Sequence, residues 1–152
     1  MPAGQANLGY PMPTTGHDTV MTAMTITAVG ATTTEDRVAG VLTMKNASSN
    51  SGIACDLGVP LSGGMNELIL DDASNAAGGT PIQSTGFGWT VGEAHVVSLT
   101  RDTNFYKCVA DPATANKKVT GTQTVTPAVP ELGLWAANTS AKFDWILFVS
   151  SP

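Results

Sequence analysis

Charged residues are scarce in this chain of 152 residues, and the basic ones are the scarcest. Asp, Glu, Lys and Arg make up only 12% of the sequence, which is about half of the usual share. Seven Lys and Arg against twelve Asp and Glu leave a net charge of −5 at pH 7. A surface so poor in positive charge does not attract a nucleic-acid backbone or an anionic membrane, so we expect neither as a partner.

Cysteine is limited to two residues, Cys55 and Cys108, and each lies in an apolar segment typical of a strand. Two cysteines do not make the disulfide scaffold of a small secreted domain. We therefore predict that both are buried, reduced thiols, with a bridge between them as the alternative.

Long apolar segments are also missing from the sequence. The longest run, Trp145–Val149, has five residues, whereas a helix that crosses a membrane needs about 20. The first residues carry neither the basic start nor the apolar stretch of a secretory signal. We expect a protein without a membrane span or signal peptide, which folds in the cytosol.

No long segment combines the apolar period of a helix with freedom from Gly, Pro and β-branched residues, so we expect no long helices. From Val20 onward the sequence consists of short runs with the period of two expected of strands, separated by turns rich in Gly, Asn and Pro. This pattern predicts an all-β fold, an antiparallel β-sandwich or jelly roll of about ten strands. The predicted strands include VMTAMTITAV, RVAGVLTMKN, GIACDLGV, MNELILDD, FGWTVGE, AHVVSLTRD, NFYKCVAD and FDWILFV.

Residues 1–17 are rich in Pro and Gly and cannot build a core of their own. We predict that they form an extended N-terminal arm, followed by a sandwich domain over residues 18–152. The arm is expected to dock on its own domain or on a neighbouring chain, and Tyr10 and Met12 are its candidate contacts.

Two segments of the second half carry a recognisable order of strand and turn motifs, WTVGEAHVVSLTRDTNFYKCVAD and PELGLWAANTSAKFDWILFV. Through them the chain resembles the concanavalin A-like lectin and glucanase superfamily, in particular its laminin-G-like jelly rolls. The resemblance covers residues 87–149 well and residues 37–86 only in general layout. It implies a small residue between the sheets at Gly133, a core-filling Trp135 and a turn between the last two strands at Asn138–Ser140.

The resemblance indicates the fold better than the function, because the superfamily includes glucan hydrolases, lectins, receptor-binding modules and scaffolds. Laminin-G-like domains often bind calcium at a loop rim, where Asp71, Asp72 or Asp111 would supply oxygen ligands. We predict no cofactor and keep calcium as an alternative. For a lectin, Phe87 and Phe105 are the candidate glycan contacts, because they are aromatic and lie next to loops.

The parts of an enzyme are missing. Retaining glycosidases of this superfamily need two carboxylates about 5 Å apart, and the nearest candidate pair, Glu67 with Asp71, lacks the third acid of the usual pattern. His17 and His95 have no acid at a metal-ligand spacing. Motifs for a serine nucleophile, a phosphate loop or a dinucleotide are absent. We predict a non-enzymatic protein with no catalytic residue, no cofactor-binding residue and no metal ligand.

The closing strand is apolar on both of its faces. Trp145, Leu147 and Val149 occupy the outward positions, while Ile146 and Phe148 take the inward ones. Water is an unfavourable neighbour for such an outward face. Either the N-terminal arm or a loop of the same chain covers it, or another subunit does, and we favour the subunit.

A signal-less, weakly charged jelly roll with a terminal arm looks like a bacteriophage structural protein. We predict a capsid decoration (cement) protein or a head or tail fibre module, located in the virion and acting as a homo-oligomer through contacts with other subunits. The alternative is a lectin-like module that binds carbohydrate, for attachment to glycans of a host or cell surface.

Overall fold

The computed structural model describes residues 5–12, 16–31, 37–46, 52–60, 63–73, 80–126 and 130–151. Within these ranges the chain forms eleven strands and no helix, and therefore no helix that could span a membrane. The strands are β1 (Gln5–Pro11), β2 (His17–Val29), β3 (Arg37–Asn46), β4 (Ile53–Val59), β5 (Glu67–Asp72), β6 (Thr80–Gly86), β7 (Ala94–Asp102), β8 (Phe105–Ala110), β9 (Lys117–Thr122), β10 (Pro130–Ala137) and β11 (Thr139–Ser151).

The strands build two antiparallel sheets that pack face to face. A six-stranded sheet has the order β1-β10-β3-β4-β5-β6, and a five-stranded sheet has the order β11-β2-β7-β8-β9. At one side of the sandwich β6 packs against β9, and at the other side β11 packs against β3 and β10. The predicted all-β sandwich is confirmed, with eleven strands in place of about ten.

Alternation along the strands builds part of the core. In β2, for example, Val20, Met24 and Ile26 are buried while their neighbours in sequence are more exposed. The central strands β3 and β4 are buried on both faces, because the outward face of their sheet carries a second apolar cluster. Burial of these apolar side chains is the main stabilising contribution. The turn predicted at Asn138–Ser140 is observed, with Asn138 in the left-handed region between β10 and β11.

Cys55 and Cys108 form a disulfide, so the prediction of two reduced thiols is wrong. Cys55 lies in β4 of the six-stranded sheet and Cys108 in β8 of the five-stranded sheet, and both point into the core. Their Cα atoms are 5.2 Å apart, within the range that a disulfide bridges. The burial was predicted correctly, but the pairing depends on which inward positions of the two sheets face each other.

The segment FGWTVGE, predicted as a strand, is a loop between β6 and β7. Trp89 is buried in this loop, and its Nε1 donates a hydrogen bond to the carbonyl oxygen of Glu67 at 3.3 Å. Asn66 Nδ2 donates to the carbonyl oxygen of Trp89 at 2.7 Å. These contacts bind the segment to β5 through its own backbone and indole, and Gly92 adopts a positive φ of 93° that a strand does not allow.

Part of the predicted arm becomes an edge strand of the six-stranded sheet. Gln5–Pro11 pairs with β10 of the same chain, from Gln5 opposite Ala137 to Pro11 opposite Glu131. A Cβ atom on Gly133 would lie 2.5 Å from the carbonyl oxygen of Leu8. The small residue at Gly133 is thus required by the backbone of β1, not by the space between the sheets. Residues 1–4 and 13–15 of the predicted arm lie outside the described residues.

Trp135 is buried, but on the outward face of the six-stranded sheet. Its Nε1 donates a hydrogen bond of 2.6 Å to Oδ1 of Asp56, which is also buried. Val38, Leu42 and Ile69 belong to the same small apolar cluster. The resemblance implied that Trp135 fills the core. Trp135 instead fills this small cluster, which lies outside the main core.

A buried ion pair joins β2 to β7 inside the sandwich. Arg101 donates from Nε to Asp18 Oδ2 at 2.7 Å, and Thr43 donates from Oγ1 to Asp18 Oδ1 at 3.1 Å. Asp18 is 3% exposed and Arg101 is 6% exposed. The phenol of Tyr106 lies in the same interior, and burial raises its pKa above the ordinary value of 10.0. The carboxylate of Asp18 is therefore held by Arg101 and Thr43 in a water-poor environment.

Candidate functional site

The outward face of the five-stranded sheet carries four of the side chains predicted as contacts, Phe105, Trp145, Leu147 and Val149, together with exposed polar side chains. The pairing of its strands aligns these side chains in rows that run across the sheet. In order, the rows are Trp145, Ala23, Val96; then Leu147, Met21, Ser98, Val109, Lys118; then Val149, Thr19, Thr100, Lys107, Thr120; then Ser151, His17, Asp102, Phe105, Thr122.

The last row contains what we call the aromatic corner, formed by His17, Asp102, Phe105 and Thr122. The ring of Phe105 is 44% exposed. Nδ1 of His17 lies 3.1 Å from Oδ1 of Asp102, and both side chains are exposed. A two-residue turn at Thr103 and Asn104 joins β7 to β8, so Asp102 and Phe105 are held directly opposite each other.

The aromatic corner combines a flat apolar surface with hydrogen-bonding groups on a rigid support. A ring such as Phe105 binds the apolar face of a ligand, whereas imidazole, carboxylate and hydroxyl groups bind its polar rim. Binding sites for small molecules commonly have this mixture of apolar surface and a few polar groups. The arrangement therefore suits a ligand with an apolar face and many hydroxyl groups.

At the β11 side of the sheet, the first three rows contain what we call the apolar ridge. It is formed by Trp145, Leu147 and Val149 on β11 and Met21 on β2. Trp145 is 44%, Leu147 50% and Val149 53% exposed. The pairing of β11 with β2 shifts between Phe143 and Trp145, as in a β-bulge. Because a bulge reverses the alternation, Phe143 packs into the core while Trp145 points outward. The predicted outward orientation is observed, and the role of these residues as an interface stays a prediction.

At the side of the sandwich next to the apolar ridge, two side chains of β1 are not covered by the five-stranded sheet. Leu8 and Tyr10 of β1 face the same way as the core residue Leu132, yet they are 58% and 64% exposed. The reason is that the five-stranded sheet ends at β11, which packs over β3 and β10 and leaves β1 uncovered. Tyr10 is thus available to a partner, whereas Met12 is buried in the chain's own core.

Phe87, the other candidate glycan contact, lies at the end of the sandwich. Its ring packs against the core and meets the ring of His95 edge to face, with 5.3 Å between the ring centres. Nδ1 of His95 lies 2.8 Å from Oδ2 of Asp111, whose Oδ1 accepts a hydrogen bond from the Val96 N–H at 2.9 Å. Phe87 is therefore held by internal contacts, and Phe105 presents more of its ring to solvent.

Glu93 closes the loop that precedes β7. Its Oε2 accepts a hydrogen bond from the backbone N–H of Thr90 at 2.8 Å and lies 3.7 Å from Nε2 of His95. The hydrogen bond from Thr90 lowers the pKa of the Glu93 carboxyl, because it stabilises the ionised form. Glu93 thus stabilises the loop that precedes β7.

The acids considered for calcium or catalysis have other contacts. Asp111 is bound to His95 and Val96, and Asp72 Oδ2 accepts a hydrogen bond from Gln123 Nε2 at 2.6 Å. Asp71 is buried on β5. In the described part of the chain, no three His, Cys, Asp or Glu side chains lie close enough together to hold a metal ion.

Sequence reasoning missed His17 and Asp102 as site residues. The two are distant in sequence and become neighbours only because β2 pairs with β7 in the register that sets His17 opposite Asp102. The pairing of His95 with Asp111 was missed in the same way, although Asp111 was considered for calcium. The sequence predicted the strands that carry these residues, but it did not predict the register in which the strands pair.

No protein-family model matches the chain, and no curated protein sequence does. Solved structures match over almost its whole length. The carbohydrate-binding module CBM66 from Bacillus subtilis superimposes with a TM-score of 0.71 and 13% identity, over 99% of this chain and 84% of that one. A toad ovary galectin in complex with thio-digalactose gives a TM-score of 0.62 and 14% identity, over 98% of this chain and 100% of the galectin.

A GH43 protein from Bacillus licheniformis also contains a similar domain. The TM-score is 0.61 at 8% identity, over 91% of this chain but only 28% of that protein. Identities this low establish the fold alone, which is the jelly-roll sandwich found in carbohydrate-binding modules and galectins. The lectin-like part of the predicted resemblance is thus confirmed at the level of the fold, and the bacteriophage part stays a prediction.

Proposed function

We propose that this chain is a non-enzymatic carbohydrate-binding module whose ligand sits on the aromatic corner. The observation that carries the proposal is the exposed ring of Phe105 beside the His17–Asp102 pair on a tight hairpin. Structural neighbours named as a carbohydrate-binding module and as a galectin with thio-digalactose support it. Of the two functions predicted from the sequence, these neighbours favour the alternative over the virion role.

In this proposal the sugar ring lies with its C–H face on Phe105. His17, Asp102 and Thr122 exchange hydrogen bonds with the hydroxyl groups around the ring, because imidazole, carboxylate and hydroxyl groups accept or donate as required. Each such hydrogen bond contributes about 1 kcal/mol net. The site is preorganised since the hairpin holds Asp102 and Phe105 in register before the ligand arrives.

Phe105→Ala is expected to weaken glycan binding about tenfold, because the loss of one aromatic contact costs on the order of 1–2 kcal/mol. Binding is measured first on a glycan array and then by calorimetry with the best ligand. Val91→Ala is the matched control, since Val91 is also an exposed apolar residue but lies in the loop before β7. Phe105→Tyr is expected to retain binding because the ring remains.

Two results would contradict this proposal. The first is an array on which the folded wild-type protein binds no glycan at all. The second is a glycan whose affinity is the same for the wild type and for Phe105→Ala, which would place the binding site elsewhere on the molecule.

The second candidate function is the structural role in a virion that the sequence predicted, as a capsid decoration protein or a fibre module. The apolar ridge favours it, because exposed apolar patches of this kind often mark protein contacts. β11 is an edge strand of its sheet, and Leu8 and Tyr10 of β1 are exposed, which favours it further. An extended segment of a neighbouring subunit would complete the five-stranded sheet there through main-chain pairing.

Leu147→Glu is expected to convert an oligomer to a monomer that keeps the wild-type fold by circular dichroism, because Leu147 is half exposed in the isolated chain. Sedimentation velocity measures the change. Val91→Glu introduces the same charge at an equally exposed apolar residue and should leave the oligomer intact. A wild-type protein that is monomeric throughout the accessible concentration range would remove the support for this candidate.

The disulfide bears on where the chain folds. Buried disulfides are typical of proteins that mature in an oxidising compartment, which is in tension with folding in the cytosol. We expect the bridge to form on release from the reducing cytosol or during export, and the location in a virion stays a prediction.

A further inference from the structure

Two lysines beside the aromatic corner lack an acidic partner. Lys107 follows Phe105 by two residues on β8 and faces the same way, and Lys118 lies on the neighbouring strand β9. Both are exposed, and neither has an ion pair within the described residues. The acids of this face have close partners, since Asp102 lies next to His17 and Asp144 lies 2.5 Å from Lys142.

The spacing places these lysines within reach of a ligand on Phe105. Residues two apart on a strand are separated by about 6.8 Å, and diagonal neighbours across a strand pair by about 7–8 Å. Lys107 is thus next to the ring, whereas Lys118 is diagonal to Lys107 and lies two rows from Phe105, about 14 Å along the strands. Lys118 therefore meets a ligand that extends from Phe105 over Lys107, and its long flexible side chain shortens the gap.

From this arrangement we propose that the aromatic corner selects an anionic saccharide, one that carries a carboxylate or a sulfate. The inference rests on the proposed function and adds the ligand class. The sugar ring contacts Phe105, its anionic group lies against Lys107 and Lys118, and its hydroxyl groups reach His17 and Asp102. A chain of net charge −5 has few cations, so two unpaired lysines on one face form a local exception that would attract a negative group.

A saccharide with one or a few negative charges fits this face better than a polyanion does. Two lysines compensate a small number of charges, whereas the remainder of the chain is acidic and repels a long anionic polymer. Because the lysines are exposed, each contact is weak and is screened by salt. The preference is therefore for the anionic form of a sugar that already binds through its ring.

The test compares an oligosaccharide of galacturonic acid, a sulfated oligosaccharide of galactose and the neutral oligosaccharide of galactose, by calorimetry at low and high ionic strength. We expect the wild type to bind an anionic ligand more tightly than the neutral one, with the difference shrinking in salt. Lys107→Gln and Lys118→Gln should each weaken anionic binding about threefold and leave neutral binding unchanged. The two anionic ligands distinguish a carboxylate from a sulfate.

Lys117→Gln is the matched control, because Lys117 is adjacent to Lys118 but points to the other face of β9. It removes the same charge and should leave every affinity unchanged. Equal affinities for the neutral and anionic ligands, insensitive to salt and to Lys107, would overturn this inference while the proposed function stands. Absence of binding to all three ligands and to a glycan array would overturn both.

Discussion

Removal of the Cys55–Cys108 disulfide is expected to lower the free energy of unfolding by about 4 kcal/mol. The two cysteines are 53 residues apart in sequence, and the bridge restricts a loop of that length in the unfolded chain. Both are fully buried and join β4 of one sheet to β8 of the other. A loss of this size is a large fraction of the stability of a single domain.

Urea unfolding with and without a phosphine reductant measures this effect. The double variant Cys55→Ala, Cys108→Ala should resemble the reduced wild type and should not respond to the reductant. Titration of thiols in the denatured, unreduced wild type should find none. Two free thiols in that titration, or an unchanged unfolding midpoint on reduction, would show that the cysteines are not bridged.

Asp18→Ala is expected to destabilise the protein by about 3–5 kcal/mol, because it leaves the buried guanidinium of Arg101 without its carboxylate. The cost comes from a charge that water cannot reach, not from the loss of one contact. Asp18 and Arg101 also lie in the paired strands β2 and β7, next to His17 and Asp102 of the aromatic corner. The variant should therefore lose binding and stability together.

Thermal and urea unfolding of the variant give the size of the effect. Asp144→Ala is the control, because Asp144 forms an exposed pair with Lys142 and its removal should cost less than about 1 kcal/mol. The double variant Asp18→Leu, Arg101→Leu should recover part of the loss, since no unpaired charge remains. If Asp18→Ala is no more destabilising than Asp144→Ala, the ion pair does not contribute in the way described.

The ion pair and the disulfide also explain why the candidate site is rigid. Cys108 anchors β8, which begins at Phe105, and Arg101 anchors β7 one residue before Asp102. Groups held by such contacts lose little conformational entropy when a ligand binds. The stability predictions and the binding predictions therefore concern the same three strands, β2, β7 and β8.

The prediction of secondary structure from the sequence succeeded where short apolar runs lie between polar turns. β3 and β7 begin and end at the predicted residues, although β3 is buried on both faces from Val38 to Met44 and shows no period of two. The prediction failed at FGWTVGE. This segment is a loop anchored by the buried Trp89, but it has the composition of a strand. The prediction also left out β1, whose Pro- and Gly-rich sequence forms a strand only because β10 offers an open edge.

The candidate site was predictable only in part. Phe105 was named because an aromatic residue near a turn can be recognised from the sequence alone. His17 and Asp102 were not named, because their distance depends on the register between β2 and β7. Cys55 and Cys108 were recognised as buried, yet their bridge depends on how two sheets stack.

The sequence by itself thus determined the class of fold and the buried face of strands with regular alternation, such as β2. These properties arise from the local alternation of apolar and polar residues along each strand. The tertiary structure alone decided the disulfide, the buried Asp18–Arg101 pair, the uncovered side of β1 and the grouping of Phe105 with His17, Asp102 and Lys107. Each of these depends on strand register and sheet stacking, which are set by the packing of residues far apart in the chain.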